Sequence, residues 1–171
     1  MKATEGRVGR VFIIRLDNGD KIPGVVERFA TENNIKNGFA LLIGDVVDGQ
    51  IVVGPRKSDE MPPEPMLLPV EGAHEIAGVG ILSPDEKGKP VLHIHAALGR
   101  SRNTMTGCLR PGVLTWLVAE VILYEIIGVS AVRVKDAASG FALLKVDGGD
   151  EDGQETYGNI SLPGLQECAG P

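Results

Sequence analysis

"GVLTWLVAEVILYEI" occupies Gly112–Ile126, and the reading of this stretch decides the fold. Its length would suit a helix, while its Val and Ile content favours a long strand, and period alone leaves both open. Glu120 and Glu125 interrupt the apolar run, which argues against a membrane span. In a strand, Glu120 would share a face with Trp116 and Tyr124, and Glu125 would face the other way. A carboxylate on an apolar face needs a partner. Glu120 is therefore either an ion-pair member or a candidate catalytic acid–base group or a group that hydrogen-bonds and orients a metal ligand.

Outward from this stretch the chain is rich in strand signals. "RVGRVFIIRL" (Arg7–Leu16) reads as a strand ending at the turn "DNGD". A short amphipathic helix is expected from near Pro23, with Val25, Val26, Phe29 and Ala30 at helical spacing. "GFALLIGDVV" and "QIVVG" flank Asp48-Gly49, a strong hairpin signal. The proline-rich segment "PRKSDEMPPEPM" (Pro55–Met66) is expected to be a loop. "HEIAGVGIL" and "PVLHIHAAL" read as strands around the turn "SPDEKGK". "SAVRVKD" and "GFALLKV" read as short strands around "AASG". The expected class is α+β, with a curved, mostly antiparallel and barrel-like β-sheet and a few flanking helices.

Aromatics make up only 4% of the chain, so aliphatic side chains must build the core. Charge divides the sequence in two. From Asp147 onward there are six acids and no Lys or Arg, which leaves 17 acids and 17 bases in residues 1–146. The expected organisation is one domain over 1–146 and an acidic, Gly-rich tail over 147–171. A neutral body lacks the general attraction to phosphate backbones of a dedicated nucleic-acid binder, although a local basic patch stays open. No apolar segment follows Met1-Lys2, so no secretion signal is expected, and a soluble cytoplasmic protein with reduced thiols at Cys108 and Cys168 is the simplest reading.

The residues that carry chemistry lie just before the opening stretch, in "VLHIHAALGRSRNTMTGCLRPG" (Val91–Gly112). Strand geometry puts His93 and His95 on one face, roughly 6.5–7 Å apart at the backbone, so both imidazoles can converge on one ion. Cys108 would be a third ligand if "TMTGCL" pairs beside the histidine strand, a donor set suited to zinc. The competing reading is two ordinary histidines and a small buried cysteine. Arg100, Arg102 and Arg110 would attract a small anionic ligand if they flank such a site, and otherwise form an exposed turn. His74, on another strand, reads as structural or surface.

Several of these segments together resemble the PPC (plant and prokaryote conserved) domain family. The resemblance rests on "FIIRLDNGDKI" (Phe12–Ile22), "FATENNI" (Phe29–Ile35), Glu75-Ile76, "HIHA" (His93–Ala96), "GCLRPG" (Gly107–Gly112) and "AEVIL" (Ala119–Leu123), in family order and roughly over residues 7–146. It implies a homotrimer built on a strongly curved sheet, with the opening stretch as a strand. It also implies a three-histidine zinc cluster. Two of these histidines map onto His93 and His95, and the third falls on Cys108, where this chain departs from the pattern. Plant relatives pair the domain with AT-hooks that bind A·T-rich DNA; here "GRVGR" (Gly6–Arg10) lacks the Arg-Gly-Arg-Pro core. The resemblance thus implies a trimeric DNA-binding or regulatory protein with a zinc site. The alternative is a zinc-dependent hydrolase or lyase acting on a small anionic substrate, because the fold is also similar to that of two enzymes with histidine-bound zinc.

Overall fold

In the computed structural model, which describes residues 1–146, the opening stretch is a strand. It belongs to an eight-stranded antiparallel sheet built on β1 (Arg7–Asp17), β2 (Lys21–Ile22), β3 (Gly38–Pro55), β4 (Pro65–Pro69), β5 (His74–Pro84), β6 (Pro90–Arg100), β7 (Asn103–Cys108) and β8 (Val113–Ile127). One helix, α1 (Gly24–Glu32), flanks this sheet among the described residues, and β9 (Ala131–Lys135) and β10 (Ala142–Val146) form a separate hairpin. The expected tail, with Cys168, lies outside the described residues. Among the described residues no helix is long and apolar enough to cross a membrane.

The main sheet runs in the order β1-β8-β3-β5-β6-β7, with β2 on β8 and β4 on β3. It curls so far that β7 at its far edge touches β3 again, at Val52 and Cys108. Alternation explains the strands. In β6, Leu92, Ile94, Ala96 and Leu98 are buried, while His93, His95 and Ala97 point to the other face. In β8, Ala119, Val121 and Leu123 face in. The helix lays Val26 and Ala30 on this inner face. Each large aliphatic side chain so buried contributes roughly 1.5–3 kcal/mol. Glu27 of α1 accepts a hydrogen bond from the Leu92 N–H (3.0 Å), tying the helix to the strand that carries both histidines.

One local expectation is corrected. Asp48-Gly49 does not turn the chain; β3 continues through it over 18 residues. A two-residue hairpin turn of that kind needs both central residues in the left-handed region. Gly49 is at positive φ (+124°), but Asp48 is not, so the pair does not form that turn. The glycine serves a close crossing instead: a Cβ there would stand 2.2 Å from the Gly112 carbonyl oxygen. The partner strand arrives later, as β4, which pairs Leu68 with Ile51. Its first residues, Pro65 and Met66, close the segment expected to be a loop.

The outward face of the sheet is unusually apolar. Register aligns Ile13, Ile122, Leu41, Val79, His95 and Cys108 in one row across six strands. A second row runs through Val11, Tyr124, Phe39, Ile81 and His93. Ile13 is 82% exposed and Ile43, beside these rows, 57% exposed. A soluble chain that leaves such a face bare usually covers it with another surface.

Candidate metal centre

Both histidines stand where the apolar rows end. His93 and His95 project from the same face of β6, and their Nε2 atoms lie 3.0 Å apart with the rings edge to face. Cys108 is the direct antiparallel partner of His95, so its thiol shares that face. One ligand atom from each of His93, His95 and Cys108 lies within 4.8 Å of the other two. A tetrahedral zinc with N ligands at 2.0–2.1 Å and S at 2.3 Å needs edges of about 3.3–3.6 Å. Small side-chain movements would close the donor set on an ion, and its chemistry fits one.

Electrostatics favour the metal-ready form of His93. Its imidazole is lowered to about 4, first by burial, then by Arg133, His95 and Arg110. It is therefore neutral near pH 7 and keeps a lone pair for a ligand bond. Cys108 is a free, buried thiol. Gly107 before it holds β7 against β3, because a Cβ there would come 2.5 Å from the Val52 carbonyl oxygen. That close approach positions the sulfur.

The cluster opens into a cavity of about 1170 Å³ between the outward sheet face, the loop before β4 and the β9–β10 hairpin. Of the three arginines expected to flank a site, Arg110 lines this cavity, with its guanidinium 5.7 Å from the Phe141 ring centre. Arg100 and Arg102 stand elsewhere. Arg100 donates to the Glu71 carbonyl oxygen (2.7 Å), and Arg102 is exposed in the β6–β7 turn. Glu120 is not brought to the cluster either. It is exposed on β8, opposite Arg15 of β1 and Ile43 of β3. Glu125 is paired structurally, receiving Arg10 Nε at 2.8 Å and Nη2 at 2.8 Å. His74 is buried rather than at the surface, with Nδ1 2.9 Å from the Gly72 oxygen.

Sequence reasoning missed Arg133. It is only 5% exposed, and its Nη2 donates to the Ile81 carbonyl oxygen (3.2 Å) while its Nε has no partner. Burial pushes its guanidinium down, Arg110 adds to that, and Cys108 opposes it. Nothing in "SAVRVKD" distinguishes this arginine from an edge-strand charge; only the folding of the hairpin against β5 buries it.

The profile of the Plants and Prokaryotes Conserved (PCC) domain matches residues 3–127. Among solved structures, the chain is similar to a metal-containing protein from Archaeoglobus fulgidus, with 26% identity, TM-score 0.72, and 84% of this chain and 98% of that one covered. It is also similar to a plant- and prokaryote-conserved protein from Pyrococcus horikoshii, at 23% identity, TM-score 0.72 and 85% and 97% coverage. A candidate DNA-binding protein from Bacteroides thetaiotaomicron shares the fold at 17% identity, TM-score 0.68 and 85% and 98% coverage. Among curated proteins, the bifunctional protein GlmU of Synechococcus sp. (strain JA-3-3Ab) is 27% identical over 140 residues, 81% of this chain. The chain spans about a fifth of the length of the curated relatives it matches.

Proposed function

The chain belongs to the Plants and Prokaryotes Conserved domain family, and from that membership we propose that it works as a metal-holding homotrimer whose centre binds zinc on His93, His95 and Cys108. The observation that carries this reading is the convergence of the three ligand atoms within 4.8 Å of one another. Two imidazole nitrogens and a thiolate are a borderline-soft set that suits zinc, and three protein ligands leave the fourth position open. The 26% identity to the metal-containing Archaeoglobus protein supports it further. Self-association is supported by the bare apolar rows, which run up to the histidines themselves. A reducing compartment, the cytoplasm, goes with this reading, because Cys108 ligates only as a thiolate.

Bound zinc would supply Lewis acidity to a water or a carbonyl at the open position. Arg110 would hold a small anionic ligand there. No Asp or Glu among the described residues lines the cavity. A base of the kind considered for Glu120 is thus not at hand, so ligand binding or regulation is favoured over a zinc-dependent hydrolase or lyase. Elemental analysis with sedimentation tests the proposal. It predicts one zinc per chain and a mass three times that of the chain, and the absence of metal after zinc reconstitution refutes the metal centre.

A regulatory role on DNA is the second reading. It rests on the family resemblance and on Arg7, Arg10 and Arg15, which all belong to β1 and would be repeated three times in a trimer. Of these, Arg10 is engaged with Glu125 and Arg15 with Asp17 (3.3 Å), while the loop before β4 pairs Arg56 with Glu64 and Lys57 with Glu60. Such pairing weakens the pull on phosphate. A salt-dependent gel shift on A·T-rich duplex is expected; no shift at low salt removes this role.

A further inference from the structure

The β9–β10 hairpin lies beyond the residues that the family profile matches. Its loop is built to hold shape. Asp136 accepts hydrogen bonds from the Ser139 N–H (2.6 Å) and hydroxyl (2.5 Å), and Asp136 N–H donates to the Phe141 oxygen (2.8 Å). The hairpin lines the cavity with Phe141, Leu143 and Leu144, and the main sheet adds Leu67, Val79 and Ile81. It also delivers Arg133, nineteen-twentieths buried, to the edge of the histidine–cysteine cluster.

A buried guanidinium without a countercharge is costly, and an arginine carries five donors in a fixed fork. Arg133 uses Nη2 on Ile81 and leaves Nε unpaired. Arg110, the second arginine of the cavity, is engaged with the Phe141 ring. Among the described residues, neither arginine has a carboxylate partner. Arg133 and Arg110 also border a smaller cavity of about 470 Å³ that includes Glu27, whose carboxylate accepts from the Leu92 N–H and pairs with neither arginine. The site thus offers two cations, no acid and a wall that is otherwise mostly aliphatic and aromatic. A highly charged or sugar-like ligand would leave its own polar groups unpaired there.

We propose that this cavity binds a small monocarboxylate with a hydrocarbon body, its head group on Arg133 and Arg110 and its body against the β9–β10 hairpin. The volume exceeds the 300–1,000 Å³ common for small-molecule sites and admits a medium-length chain. Recognition by the arginine fork is bidentate and needs no metal, so carboxylate binding stands apart from the zinc reading.

Decanoate is the probe, titrated calorimetrically into the full chain with zinc and, separately, with chelator. Saturable binding is expected in both, with decanol at least tenfold weaker because it lacks the charge. Arg133→Met keeps the stem length and removes the charge. It should weaken decanoate at least tenfold while the thermal midpoint holds or rises, since an unpaired buried cation has gone. Arg110→Gln, at an exposed position that will not unfold the chain, should also weaken it. Equal affinity for decanol and decanoate overturns the proposal, as does full affinity in both variants or no binding to the wild-type chain. Zinc content measured on the same samples separates the two ideas: decanoate binding without zinc retains the carboxylate site and removes the metal centre, and zinc without decanoate binding does the reverse.

Discussion

Replacing Cys108 with serine gives a direct measure of the proposed metal centre. The substitution changes one atom and leaves the β7 backbone contacts with His95 and Val52 in place. It removes the only sulfur among the three donors, so a hydroxyl that is neutral near pH 7 must replace a thiolate. Loss of one of three protein ligands should weaken zinc at least about a hundredfold, beyond the 10–100-fold that a supporting residue costs. At free zinc one hundred times the wild-type Kd, binding stabilises the native chain by about 2.7 kcal/mol. For a chain of this size, about 1 kcal/mol moves the midpoint by roughly 2–4 °C, which gives a zinc-induced rise of roughly 5–11 °C. The same zinc would sit near the Kd of Cys108→Ser, where the stabilisation is about 0.4 kcal/mol and the rise only roughly 1–2 °C. Thermal unfolding followed by circular dichroism, with and without zinc, reads both numbers. An equal zinc-induced rise in the two proteins would refute the assignment of the sulfur as a ligand, whatever else the histidines do.

The other predictions concern assembly, the sulfur's support and acid stability. Ile13→Asp with Ile43→Asp places charges on the apolar outward face and should convert the proposed trimer to monomers in sedimentation velocity; an unchanged mass would exclude this face from the interface. Gly107→Ala pushes a methyl group against the Val52 carbonyl and should cost about 1–3 kcal/mol in chemical denaturation, with a weaker zinc response than wild type. Glu125 is held at about 2, first by its hydrogen bonds from the Arg10 side chain, against an ordinary value of 4.5. Because the folded value is depressed, its stabilising effect is present above about pH 4.5 and is lost as pH falls through about 2. The stability gap between wild type and Glu125→Gln should therefore be widest near neutrality and shrink across that window in pH-dependent unfolding; a gap that is flat with pH would contradict the pairing.

Much of the sheet was legible because burial on one face writes a period of two into the sequence. That pattern placed β1, β5, β6, β9 and β10 near their observed bounds, and turn chemistry marked "SPDEKGK", where Asp85 accepts from Lys87 and Lys89 N–H. It also placed His93 and His95 on one face. The Gly112–Ile126 stretch was not settled by its own residues, because a run that is almost wholly apolar carries no phase, and Trp116–Val118 form an irregular bulge with Leu117 at φ +58°. Asp48-Gly49 misled for a related reason: a glycine that permits a close crossing reads the same as one that permits a turn.

The chain's own letters determined which side chains could ligate a metal and that two of them share a strand face, since both follow from covalent geometry. They could not determine that Cys108 stands opposite His95, that Arg110 joins them while Arg100 and Arg102 do not, or that Arg133 is buried beside them. Those facts depend on strand register and on the fold-back of β9–β10 against β5, contacts between segments distant in sequence. Their energies come from packing that local pattern does not encode.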